Sequence, residues 1–211
     1  MVWESVATAS RLFWRHLGML VVANILWLLL SLLIVTWPAA TAGLFSLVRR
    51  VVQEELGSSP QEARLSDFWH GFRQYWLRSS LLTVIDLAGL GLIAVALVFY
   101  GGSTAEPLRW LVGPIGLIGL VWITAQLYVY PLLLERLTSR PWEVMREALL
   151  MAIGYPLSSL SLLVTVIVLT IAAVALAGPV LFVFFSAIAM LQTVMLRQVL
   201  LHRGETGAVA Q

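Results

Sequence analysis

The sequence predicts an all-α, polytopic membrane helix bundle of about six membrane-embedded segments, with two amphipathic helices on the cytoplasmic face. Three observations predict it. Of 211 residues, 60% are hydrophobic and 11% charged, against about 25% charged in soluble domains, and the mean hydropathy is +0.93. The apolar residues gather into runs close to the roughly twenty that a helix rising about 1.5 Å per residue needs to cross hydrocarbon about 30 Å thick. All thirteen cations are arginines, and all but Arg109 lie on one side of the alternating runs.

The amino-terminal stretch, Met1 to His16, carries Trp3, Glu4, Arg11 and Arg15. The apolar run after it exceeds the 7–15 residues or so of a signal-peptide core, so the stretch reads as retained and cytoplasmic, with Leu12, Phe13 and Trp14 at the interface. Leu17 to Thr36 is the first span. Thr36-Trp37-Pro38-Ala39-Ala40-Thr41-Ala42-Gly43 then interrupts the apolar run with a proline and small residues. From Pro38 to about Val52 the apolar part before Arg49 would rise only about 16 Å as a helix. That suits either a short tilted span, with Arg49 and Arg50 snorkelling to the headgroups, or a re-entrant helix.

Gln53 to Ser66 is a polar loop with turn chemistry at Gly57-Ser58-Ser59-Pro60. Ser66 or Asp67 caps an interfacial amphipathic helix, Asp67 to Trp76, in which Phe68, Phe72 and Trp76 share a face at spacing four. It runs into the second long span, Leu77 to Tyr100. Gly101 to Pro107 is a turn, and Leu108 to Leu134 is the third long span, where Gly113, Gly116 and Gly119 form a row that a neighbouring helix can approach. After the charged stretch Glu135 to Arg140, Pro141 opens a second interfacial helix, with Trp142, Met145, Leu149 and Ala152 on one face and Glu143, Arg146 and Glu147 away from it. Pro156 to Ala177 is the fourth long span, Gly178-Pro179 turns the chain, and Val180 to Leu196 is the fifth. Residues 1–203 thus form a single transmembrane domain and 204–211 a flexible cytoplasmic tail.

With both termini inside, Arg11, Arg15, Arg49, Arg50, Arg64, Arg73, Arg78, Arg136, Arg140, Arg146, Arg197 and Arg203 face the cytoplasm and Arg109 alone lies outside. This positive-inside asymmetry requires an even number of crossings.

Composition and motifs exclude several functions. There is no cysteine, hence no thiol nucleophile and no thiolate metal site. A net charge of +2 does not point to nucleic acid. His16, His70 and His202 all lie in cytoplasmic-side segments, and no HExxH or nucleophile elbow is present. No catalytic, cofactor-binding or metal-ligating residues are expected, and the protein reads as a non-enzyme.

Two groups of residues stand out. Asp86 is the one acidic residue inside a long span, about 12 Å beyond Arg78, where an ionised carboxylate costs about 2.5–3.5 kcal/mol on insertion scales. Asn24, Gln126 and Gln192 occupy similar depths, so the four side chains form a candidate intramembrane polar cluster. It is either a proton- or solute-binding site or a hydrogen-bonded knot that fixes helix register. Trp69, Phe72, Trp142, Met145 and Glu147 make a candidate partner-docking surface on the cytoplasmic side. Glu147 to Gly154 is also faintly similar to the ATPase-coupling motif of binding-protein-dependent permeases, with the glycine one residue late; the alternative is an ordinary interfacial helix.

Asn24-Ile25-Leu26-Trp27, Pro38 to Leu44, Asp67-Phe68-Trp69 with Phe72-Arg73, Tyr130-Pro131-Leu132-Leu133 and Glu147 to Gly154, in this order, resemble the YesL-like family of uncharacterised bacterial membrane proteins. The likeness runs from about His16 to Arg203. The family usually has Gly before the proline of the break, and Trp37 in its place suits an outer interface and a true crossing. The resemblance implies a small multi-span protein associated with carbohydrate import and utilisation, with sugar-importer subunits as partners and no catalytic residues. Two functions follow as alternatives: an accessory or scaffold component, or a small-solute transporter or channel built around Asp86. The sequence leaves a homo-oligomer open.

Overall fold

A computed structural model describes residues 2–55, 62–103, 106–135, 140–175 and 181–203, which are almost wholly helical and contain no strand. The helices are α1 (Val2–Arg15), α2 (Leu17–Ser31), α3 (Trp37–Glu55), α4 (Leu65–Gly101), α5 (Glu106–Arg109), α6 (Val112–Glu135), α7 (Pro141–Gly154), α8 (Pro156–Ala175) and α9 (Leu181–Arg203), with a 3-10 turn, Ile34–Thr36, between α2 and α3. The turns expected at 57–60 and 178–179, Arg136 and the tail 204–211 lie outside the described residues.

The break at Trp37-Pro38 is the start of α3, where a proline in the first turn removes an N–H that has no helical partner anyway. From Pro38 to Val52 most of α3 is buried, because α2, α4, α6 and α9 all pack on it. A helix enclosed by protein needs small residues for close approach more than it needs long aliphatic ones for lipid. Thus Gly43 faces α4 so closely that a Cβ there would lie 2.8 Å from the Phe68 carbonyl oxygen. At Gly71 of α4 a Cβ would lie 2.3 Å from the Cβ of Ser46.

Side-chain pairs fix the helix directions. Arg15 and His16, at the α1–α2 junction, meet Glu55 at 2.6 and 3.1 Å. Arg49 meets Glu135 at 3.1 Å, and Arg50 lies 3.9 Å from Asp67. The N-termini of α2 and α4 and the C-termini of α3 and α6 therefore share one arginine-rich end, and α3 runs antiparallel to both α2 and α4. The Arg49 and Glu135 side chains are only 20% and 19% exposed. Arg49→Glu should cost about 2 kcal/mol, less than the 3–5 kcal/mol of a fully buried pair, and Glu135→Arg in the same chain should recover most of it. Thermal melting in detergent measures both; a double variant no more stable than the single one would show that the pair is not what holds α3 to α6.

Two sequence expectations are corrected and a third is met only in part. First, the amphipathic stretch 67–76 does run into the long span, as the start of the continuous α4, but its face does not lie at the interface: Phe68 and Phe72 are buried. Its N-cap position is Arg64, whose backbone N–H donates to Asp67 Oδ2 at 2.9 Å, so Asp67 caps from within the first turn. Second, α7 buries Val144, Met145, Ala148, Met151 and Ala152 and leaves Trp142 65% exposed. The buried stripe is centred between 144 and 148, and Trp142 lies off it.

Third, three described helices are long and apolar enough to cross a membrane, within α4, residues 106–135 and α8, or four if α1 and α2 count as one broken span bent by 89°. Six membrane-embedded segments are therefore not confirmed among the described residues. The α2 helix stops at Ser31, α3 ends in polar residues, and the described apolar part of α9 is short, from 184 to 200. In the row of glycines only Gly119 is a contact, with a Cβ position 3.2 Å from Ile93 Cγ2, whereas Gly113 and Gly116 face open space.

Candidate functional site

Asp86 sits half-buried on α4, about one turn beyond the fully packed Leu82 and two turns beyond Ser79. The Trp122 indole N–H on α6 donates to its Oδ1 at 2.9 Å. Gly89 permits this, because a Cβ there would fall 2.2 Å from the Trp122 ring. One turn before Asp86, Thr83 and the Tyr130 hydroxyl are 3.4 Å apart, and the Tyr130 ring stacks on Phe45 of α3, 5.5 Å between centroids and 14° between planes. Thr41 accepts the Trp27 indole N–H at 3.0 Å and donates to its own helix at the Trp37 carbonyl, 2.9 Å.

Between these groups lies a cavity of about 90 Å³ lined by Trp37, Thr41, Leu82, Thr83, Asp86, Leu87, Gln126, Val129 and Tyr130. Gln126 Nε2 is buried with no hydrogen-bond partner among the described residues. An unpartnered donor that shares a small, partly open cavity with a carboxylate is a site for ordered water or for a similarly small polar molecule.

Of the four expected cluster residues, Asp86 and Gln126 come together here. Asn24 on α2 and Gln192 on α9 are buried but do not line the cavity; Asn24 lies one turn before Trp27, which packs on Phe185 of α9 at 3.9 Å. Sequence reasoning missed Trp122, Thr83, Tyr130 and Thr41. A signal existed for two of them: Trp122, Gln126 and Tyr130 recur at spacing four, so they share the helix face that meets Asp86.

The expected docking surface divides in the same way. Phe72 and Met145 belong to the core, and Glu147 is half-buried. Trp69 is 43% exposed, stacked on Phe72 at 5.1 Å with the Arg73 guanidinium 5.2 Å over its ring. Only Trp69 and Trp142 of the five remain as exposed aromatic surface. At the far end, a shallow hollow of about 650 Å³ is bordered by Gly101, Glu106, Arg109, Trp110, Val112 and Gly113. Among the described residues no group of His, Asp and Glu could hold a metal ion.

The chain is thus of the class of all-helical proteins with several apolar helices of membrane-spanning length. Within it, residues 20–97 match the family model described as "Protein of unknown function, DUF624", a match that covers α3 and most of α2 and α4, including Asp86. No curated protein and no solved structure matches the chain.

Proposed function

We propose that this chain is a non-enzymatic integral protein of the bacterial cytoplasmic membrane, both termini cytoplasmic, that acts as an accessory or scaffold component in carbohydrate import or utilisation. The observation that carries the choice is the size of the Asp86 cavity. At about 90 Å³ it suits a few ordered waters and is small for a sugar ring with its hydroxyls. What remains for function is surface, and Trp69 with its Arg73 partner and Trp142 are the exposed aromatic anchors within the predicted docking group. Tryptophans of this kind are enriched among residues that dominate binding energy.

Affinity purification from gently solubilised native membranes should recover sugar-importer subunits. The double variant Trp69→Ala, Trp142→Ala should reduce that recovery about tenfold or more while the protein still folds, since neither ring lies in the core. Recovery equal to wild type would remove this surface from the proposal. The second reading, a small-solute transporter or channel, is favoured by the unpartnered Gln126 Nε2 in the Asp86 cavity. Solute uptake into vesicles by the purified protein alone would support it over the accessory role.

A further inference from the structure

From Leu17 to Val48 the chain carries no charged residue, and α2 and α3 fold back on each other within that stretch. Their connection reaches only part of the way along α4. Trp37 and Thr41, at the start of α3, line the same cavity as Thr83, Asp86 and Leu87. Beyond Asp86, α4 continues to Gly101, which is about 22 Å of further helix. Allowing about one turn for the connection itself, the tip stops some 15 Å short of the end of α4.

That remaining part of α4 is apolar and outward-facing: Leu92, Val95, Val98 and Phe99 are 73%, 68%, 77% and 67% exposed. If the hairpin tip reached the outer water, this segment would stand in water as well, a contiguous apolar surface that soluble exposure does not tolerate. The tip has the same character, with Leu32, Leu33, Ile34 and Val35 78%, 65%, 84% and 74% exposed.

A turn in hydrocarbon must satisfy its own backbone, and much of this one is hydrogen-bonded within the turn. Leu32 N–H donates to Leu28 O at 3.2 Å, Leu33 N–H to Leu30 O at 3.3 Å and Thr36 N–H to Leu33 O at 2.8 Å. The Thr36 hydroxyl, which bonds back to the Leu30 and Leu33 carbonyls, adds a polar contact that water would otherwise supply.

We infer that α2 and α3 form a re-entrant hairpin, which enters the bilayer from the arginine-rich side, ends among the lipid tails and returns without crossing. The Asp86 cavity then lies inside the membrane at the hairpin tip, walled by α3 on one side and by the crossing pair α4 and α6 on the other. The sequence-based preference for a crossing, taken from Trp37, gives way to the position of that residue beside Thr83 and Asp86. The inference rests on insertion of the chain in a bilayer and not on its accessory role.

The chain has no native cysteine, so single-cysteine variants report without background. Ile34→Cys should resist a membrane-impermeant maleimide both in intact cells and in inverted membrane vesicles, and react fully once the membranes are dissolved in denaturing detergent. Gly102→Cys should react in intact cells and Glu62→Cys only in inverted vesicles. Labelling of Ile34→Cys in intact cells would make the hairpin a true crossing; labelling only in inverted vesicles would place it outside the hydrocarbon; either overturns the inference. Leu33→Cys carries the same test if Ile34→Cys does not accumulate. A Gly102→Cys variant that stays unlabelled in intact cells would refute the crossing of α4, and with it the insertion on which the inference stands.

Discussion

Gly71→Val is expected to cost about 3 kcal/mol or more and to leave little folded protein in mild detergent. Overpacking an ordinary core site costs about 1–3 kcal/mol because neighbours shift to make room. At Gly71 the first added atom would already sit 2.3 Å from Ser46 Cβ and 2.7 Å from Ser46 Oγ, deep inside van der Waals contact. Relief requires moving α3 away from α4, and α3 is held on its other sides by α2, α6 and α9. The reciprocal contact at Gly43 is against the Phe68 backbone oxygen, which has no rotamer to change. Gly91 on the same helix is the control, because nothing lies within 4 Å of its Cβ position; Gly91→Val should melt near wild type. Melting curves of the two variants compare the sites directly, and a Gly71→Val protein within about 1 kcal/mol of wild type would mean that the helices part easily.

This contact also shows what could be read in advance. The proline and small residues from Trp37 to Gly43 announced a change of structure, and α3 does begin there. That α3 is enclosed by four other helices was not legible, since hydropathy reports contact with lipid, and a helix shielded by protein carries a weak hydropathy signal whatever its depth. Gly71 was hidden for a related reason. It falls in a stretch whose Phe68, Phe72 and Trp76 spacing correctly marked one helical face, but spacing does not say whether water, lipid or another helix covers that face.

The same limit governed the span count. Each apolar run was matched to a bilayer thickness, yet α2 is ended by a hydrogen-bonded turn after Ser31 and is bent by 89° from α1, features that depend on local hydrogen bonds and packing more than on composition. For the polar site, Asp86 stood out because charge in an apolar run is costly wherever it lies. Its partner did not, because a tryptophan in such a run is equally at home facing lipid. The four-residue spacing of Trp122, Gln126 and Tyr130 became informative only once Asp86 was seen on the facing helix.

Trp122→Phe is the variant expected to expose the role of Asp86. It keeps an aromatic ring against Gly89 but removes the N–H that reaches Oδ1, and the loss should be about 1–3 kcal/mol, since the carboxyl group is left without that donor in a half-buried place. Asp86→Asn leaves an amide oxygen able to accept the same N–H, so it should cost less than about 1 kcal/mol, and the two changes together should fall short of their sum because they share one bond. If the bond is a knot that sets the register of α4 against α6, host phenotype should follow stability: impaired in Trp122→Phe and preserved in Asp86→Asn. A solute- or proton-binding site predicts the reverse order, because the amide preserves the fold while removing the chemistry. Folded Asp86→Asn protein that fails in the host would therefore move the function from the Trp69 and Trp142 surface into the cavity.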